Sequence, residues 1–209
     1  MLVKDIILEG RNHPVIVVDV QPEYCGANSV CQRVVDFVQK QTGPVLMFVN
    51  AEDQGLTGDT IESVRTWWEE SAGGEWDEDS GTYNEVIDWS RFQIVDKGYG
   101  YFRSWMDHGI EESTIIATIR EMYRQRVNDS RMLKFPPFNQ RTPQQSLIMG
   151  AIEEMDDDPL ITEWTSVAQL KRFSGAYIVG GGRNECLREV ELLMNAFNIR
   201  YKRIDSLVY

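Results

Sequence analysis

One cysteine of this chain stands where a thiol would have chemistry to do. In AYIVGGGRNECLREVELLMNAF, residues 176 to 197, an apolar run breaks on Gly180-Gly181-Gly182, and Cys186 opens an amphipathic pattern. Tyr177, Ile178 and Val179 read as a buried strand, and Leu187, Val190, Leu193, Met194 and Phe197 recur at helical spacing. A cysteine at such a strand-to-helix turn lies among free backbone N–H groups and at the positive end of a helix dipole. Both favour the thiolate, which is the nucleophile. The same position also suits a small apolar residue packed at a helix start.

Two other segments supply complementary groups. VIVVDVQPEYC, residues 15 to 25, is an apolar strand ending in Asp19 and followed by Gln21 and Tyr24, both expected to contact a bound ligand. FQIVDKGYGYF, residues 92 to 102, is another apolar strand whose end carries Lys97. Ligands of parallel α/β sheets bind at the carboxyl ends of strands. Taken singly, these residues read as a capping carboxylate, a surface lysine and a core thiol. Taken together, an acid, an amine and a thiol at three strand ends point to one shared site.

These segments resemble the isochorismatase-like cysteine hydrolases, which include nicotinamidases and N-carbamoylsarcosine amidase. VVDVQPEYC is similar to the family's first-strand motif, KGYGYF to its lysine segment and GGGRNEC to its loop before the nucleophile, in the same order. The resemblance covers residues 14 to 106 and 163 to 208. It implies Cys186 as nucleophile, Asp19 as the base that takes its proton, and Lys97 holding charge between them. It also implies a cis peptide at Gly181-Gly182 and a pocket-lining Phe102. A thiol with a pKa near about 8.5 needs such help at neutral pH. On this reading Lys97 favours both anions and keeps the thiolate beside Asp19 from pushing its pKa up. The N–H groups of Gly182 and Cys186 are the expected donors to an oxyanion. Exchange of Asp19 for Asn is expected to slow alkylation of Cys186 at neutral pH.

Departures from the family pattern carry equal weight. Zinc-dependent nicotinamidases place an Asp-x-His pair after the second strand, where this chain has Ala51-Glu52-Asp53-Gln54; its histidines are His13 and His108. No metal or other cofactor is therefore expected, and nicotinamide is a poor substrate choice. Glu52 and Asp53 suit a solvated loop better than a cation site. Arg183 stands where the family has a small polar residue, and could fork onto a substrate carboxylate or phosphate or simply point to water. Glu185 opposes thiolate formation, yet a carboxylate at a helix N-terminus is favourable against the dipole.

The elements that must position these groups alternate along the chain as strand and helix, which predicts a three-layer α/β/α domain with a mostly parallel, Rossmann-like sheet. Helices are expected after Asn28 or Ser29, around Ile61 to Trp68, after Ser113, and after a Thr142-Pro143-Gln144-Gln145 cap. At 209 residues the chain fits one domain, with a helical insertion at about 107–162 that is expected to serve as a lid or a subunit interface. Tyr99, Tyr101, Phe102 and Trp105 are expected to line the pocket or to pack at a helix start. EESAGGEWDEDSGTYNE, residues 69 to 85, reads as an exposed, solvated loop.

A net charge of −12 opposes nucleic-acid binding, and no run approaches a membrane span. Three cysteines without framework spacing argue for a reducing compartment, with Cys25 and Cys31 read as structural thiols. The expected setting is cytoplasmic, and the expected partners are a small-molecule substrate and further copies of the chain. Two functions remain: hydrolysis of a C–N bond in a small amide-type substrate, or of the vinyl ether of an isochorismate-like one, against a catalytically inactive protein of the same fold with a binding or assembly role.

Overall fold

The computed structural model describes residues 12–26, 28–51, 58–97, 105–107, 109–125, 136–143, 145–146, 149 and 167–209. Five strands, β1 (Val15–Val18), β2 (Val45–Val49), β5 (Phe92–Asp96), β6 (Ala176–Gly180) and β7 (Tyr201–Arg203), form one sheet in the order β5-β2-β1-β6-β7. Every neighbouring pair is parallel. A short antiparallel hairpin, β3 (Trp76–Asp77) with β4 (Thr82–Tyr83), stands apart from it.

The fully buried β1, β2 and β6 are continuous apolar runs because helices cover both faces of the sheet. Alternate residues divide between two cores, as the two-residue repeat of a strand requires. Val15, Val17, Met47 and Val179 face α2 (Ser29–Gln39) and α3 (Ile61–Ser71) through Val34, Val38, Val64 and Trp68. Ile16, Val18, Phe48 and Ile178 face α4 (Glu112–Gln125), α5 (Val167–Arg172) and α6 (Cys186–Ala196) through Ile115, Ile119, Leu170, Val190 and Leu193. The result is the expected α/β/α layering. Among the described residues no helix is long and apolar enough to cross a membrane.

Local signals act where the sequence placed them. Asn28 caps α2 by accepting from the Val30 N–H, and Thr60 forms a capping box with Ser63 at α3. Thr142 and Gln145 exchange the reciprocal pair of cap hydrogen bonds, at 2.9 and 3.2 Å. About half of the 107–162 insertion, including Ile148, Ala151, Ile152 and Met155, lies outside the described residues.

Two expectations need correction. The short helix α1 (Pro22–Cys25) and α2 are joined by so tight a turn that Cys25 and Cys31 meet and form a disulfide. Six-residue spacing hid the pair from a search for closer cysteine motifs. The acidic stretch from residue 69 is also not simply solvated. Glu69 is buried and accepts from the backbone N–H groups of Val86 and Ile87 and from Trp89 Nε1. A carboxylate that gathers three donors tolerates burial, and here it ties the hairpin's far end to α3.

Candidate active site

The chain runs outward from β1 to β2 and β5, then returns to place β6 on the other side of β1. The strand order therefore reverses between β1 and β6, where crevices open at carboxyl ends. Asp19 follows β1, and the loop to Cys186 follows β6. Lys97 follows β5, two strands from β1, a gap of roughly 10 Å between strand axes that only a long side chain bridges. Its Nζ reaches 3.1 Å from Asp19 Oδ2, and both side chains are buried.

Backbone geometry aims these groups. Asp19 has φ of +51°, uncommon for a residue with a side chain and characteristic of strained functional positions. Its N–H donates to the Phe48 carbonyl at 2.9 Å, keeping the turn inside the sheet's hydrogen-bond pattern. Gly180, at φ +79°, passes so near β1 that a Cβ there would sit 2.5 Å from the Val18 carbonyl oxygen. Gly181, at φ +61°, completes the reversal that leads to Cys186 at the first turn of α6. No cis peptide occurs among the described residues, so the bond expected at Gly181-Gly182 is trans and the two left-handed glycines make the turn instead.

The half-buried Cys186 thiol lies beside the Asp19 carboxylate and within the field of Lys97. Among the described residues neither Asp19 oxygen receives a fully aligned hydrogen bond. Lys97 and Cys186 are the groups that meet the carboxylate, by charge and by side-chain contact. Burial raises the Asp19 pKa, more than Lys97 and the thiol lower it. Burial lowers the Lys97 pKa, but the Asp19 and Cys186 charges outweigh it and the net shift is upward. The Cys186 thiol is pushed up to about 12, by burial first and then by the Asp19 charge. The resting arrangement is thus a neutral thiol between a carboxylate and an ammonium. This corrects one expectation, since the thiol is not held as a free thiolate; Lys97 does lower the Asp19 pKa, but burial raises it more. Desolvation outweighs the dipole and the lysine alike.

The remaining predicted residues separate. Gln21 is fully buried: its Oε1 accepts from Asn50 N–H at 2.8 Å, and its Nε2 donates to the Asn50 carbonyl at 2.9 Å and to Asp59 at 2.8 Å. It braces the ends of β1 and β2 and does not face a ligand. Tyr24 stands at the site's edge, half exposed, its hydroxyl accepting from Asn50 Nδ2 at 2.9 Å. Arg183 turns away, pairing with Asp205 at 3.2 Å on the surface. That matches the solvent-facing alternative. No hydrogen bond engages the N–H of Gly182 or Cys186 among the described residues, which leaves both as donors. Trp105 is buried in the core, which matches the packing alternative. Tyr99, Tyr101 and Phe102 lie outside the described residues, as do Glu52, Asp53 and His108. Among the described residues no three His, Cys, Asp or Glu side chains gather as a metal site.

Two contributors escaped sequence reasoning. Glu189 is fully buried and adds to the field that raises the Lys97 pKa. Its position three residues after Cys186, on the same helix face, was a usable signal. Tyr209, whose hydroxyl donates to the Asp19 carbonyl at 2.6 Å, carried none.

No protein-family model matches the chain, and neither does any curated protein or solved structure. The family resemblance therefore rests on the three motifs alone.

Proposed function

We propose that this protein is a cysteine hydrolase of the isochorismatase-like type, cleaving a C–N bond in a small amide-type substrate. The observation that carries the reading is the meeting of Asp19, Lys97 and Cys186 at the sheet's switch point. Asp19 takes the thiol proton as sulfur attacks the carbonyl carbon, a general-base step that does not need a preformed thiolate. The N–H groups of Gly182 and Cys186 receive the developing oxyanion. The protonated Asp19 then gives its proton to the leaving nitrogen, the C–N bond breaks, and a thioester remains on Cys186. Water, deprotonated by the same carboxylate, releases the acid and restores the thiol. The raised Asp19 pKa makes it a stronger base for both steps, and Lys97 holds the site's net charge near zero throughout.

The partners proposed are a small-molecule substrate and further copies of the chain; the net charge of −12 supports no role with nucleic acid. The cytoplasmic setting loses its cysteine argument, since a Cys25–Cys31 bond persists mainly in oxidising surroundings. A screen of small primary amides and N-carbamoyl compounds, read by ammonia release, tests the activity. Turnover that disappears in Cys186→Ser supports the proposal, and turnover that survives overturns it.

The thiol pKa near about 12 favours a second reading, a catalytically silent binding protein of this fold. That reading predicts small-molecule binding that is indifferent to Cys186→Ser, with no ammonia released.

A further inference from the structure

Among the described residues Tyr209 makes three hydrogen bonds, and all of them end on the two segments that carry the base and the nucleophile. Its hydroxyl donates to the Asp19 carbonyl at 2.6 Å. Its backbone N–H donates to the Gly181 carbonyl at 3.2 Å, and its own carbonyl accepts from the Arg183 N–H at 3.0 Å. The ring is half-buried, and burial, followed by the charges of Asp19 and Cys186, pushes the phenol pKa up, so it remains a donor.

The partners matter more than their number. Asp19 holds a left-handed backbone that persists only where its surroundings over-determine it. On its N–H side β2 does so, through Phe48. On its carbonyl side Tyr209 supplies the fixing bond. The same residue grips both ends of the turn that carries the Gly182 N–H and leads on to that of Cys186. A single side chain and its peptide group thus connect the end of β1 with the β6–α6 turn.

We infer that Tyr209 is a positioning residue that fixes the Asp19 carboxylate against Cys186 and holds the Gly181–Arg183 turn in register with it. The inference builds on the proposed hydrolase site but concerns only the coupling between Asp19 and Cys186. Alkylation with iodoacetamide reads that coupling without any substrate. Cys186 is the free thiol of the three cysteines, so the label reports one position.

The test compares wild type, Tyr209→Phe, Asp19→Asn and the double variant over a range of pH, with thermal melting recorded for each. With the phenol gone, Asp19 relaxes away from the thiol and raises its pKa less. The apparent pKa of Cys186 labelling in Tyr209→Phe is expected to fall by about one unit. After allowing for the weaker nucleophilicity of a less basic thiolate, that is about threefold faster labelling at pH 8. In the double variant the effect of Asp19→Asn is expected to shrink by the same factor. Tyr209→Leu, which also removes the ring, is expected to shift the profile at least as far.

A merely structural tyrosine would lower the melting temperature and leave the labelling profile on that of wild type. Superimposed profiles in both Tyr209 variants, with the Asp19→Asn effect undiminished, overturn the inference. The two proposals fail separately. Absent ammonia release with the Tyr209 shift present sinks the hydrolase and keeps the clamp. Turnover lost in Cys186→Ser, beside unshifted Tyr209 profiles, does the reverse.

Discussion

Asp19→Asn separates the two parts that the carboxylate plays. It is the base that receives the thiol proton, and it is the anion that makes the thiol hard to ionise. Asn keeps the side chain's shape and removes the charge. Two unit charges about 4 Å apart at an effective dielectric near 20 interact by about 4 kcal/mol. At 1.36 kcal/mol per unit, that is about three pKa units. The Cys186 thiol, held up at about 12 by burial and by Asp19, is therefore expected to fall to roughly 9 in the variant. Thiolate at pH 8 rises about a thousandfold, but each unit of lost basicity weakens the nucleophile, and the net gain in iodoacetamide labelling is roughly 50-fold. Lys97 keeps a neighbouring anion in Glu189, so its ammonium persists to stabilise the thiolate. Amide hydrolysis moves the other way, falling by about 10²–10⁴ with the base gone. The sequence alone had suggested slower labelling, because it counted the carboxylate only as a base. A wild-type labelling profile that already inflects near about 8.5, unmoved by Asp19→Asn, would show that the carboxylate and thiol are uncoupled and refute the reasoning.

Three further outcomes are expected. Glu185→Gln removes a solvent-exposed carboxylate whose charge adds to the rise in the Cys186 pKa, so labelling should quicken modestly, by no more than a few-fold, and the gain should vanish at high salt. Lys97 and Cys186 both have raised pKa values in the fold, which therefore binds more protons than the unfolded chain as pH climbs. Chemical denaturation should show stability falling between the ordinary thiol range and about pH 12, by up to about 1.4 kcal/mol per pH unit for each such proton; Cys186→Ala should flatten part of that slope. Gln41 is buried, and among the described residues no protein group bonds its side-chain amide, which lines a cavity of about 350 Å³ together with Trp68 and Phe92. Gln41→Leu should raise stability by about 1–2 kcal/mol in the same assay, and a loss of stability would contradict the cost assigned to that orphan amide.

Much of the architecture could be read from the chain because it depends on local periodicity. Continuous apolar runs at 15–18, 45–49 and 176–180 can be buried only between two helical layers, and the helices between them announce their inner faces every three or four residues. The same logic placed Asp19, Lys97 and Cys186 at strand ends, since a strand ends where its apolar run does. What those groups do to one another was not local. Whether Lys97 reaches Asp19 depends on β2 lying between their strands, and the thiol pKa depends on how much water the packed helices exclude. Gln21 looked like a ligand-facing amide until β2 brought Asn50 to both of its polar ends. Cys25 and Cys31 looked like isolated thiols until a tight turn joined them. Tyr209, 190 positions from Asp19, had no pattern to mark it. Sequence by itself determined which residues stand at the carboxyl edge of a parallel sheet, because hydrophobic burial is patterned along the chain. Only the tertiary structure decided their distances, their protonation and the residues that brace them, because desolvation and charge coupling act through space between segments that the chain keeps far apart.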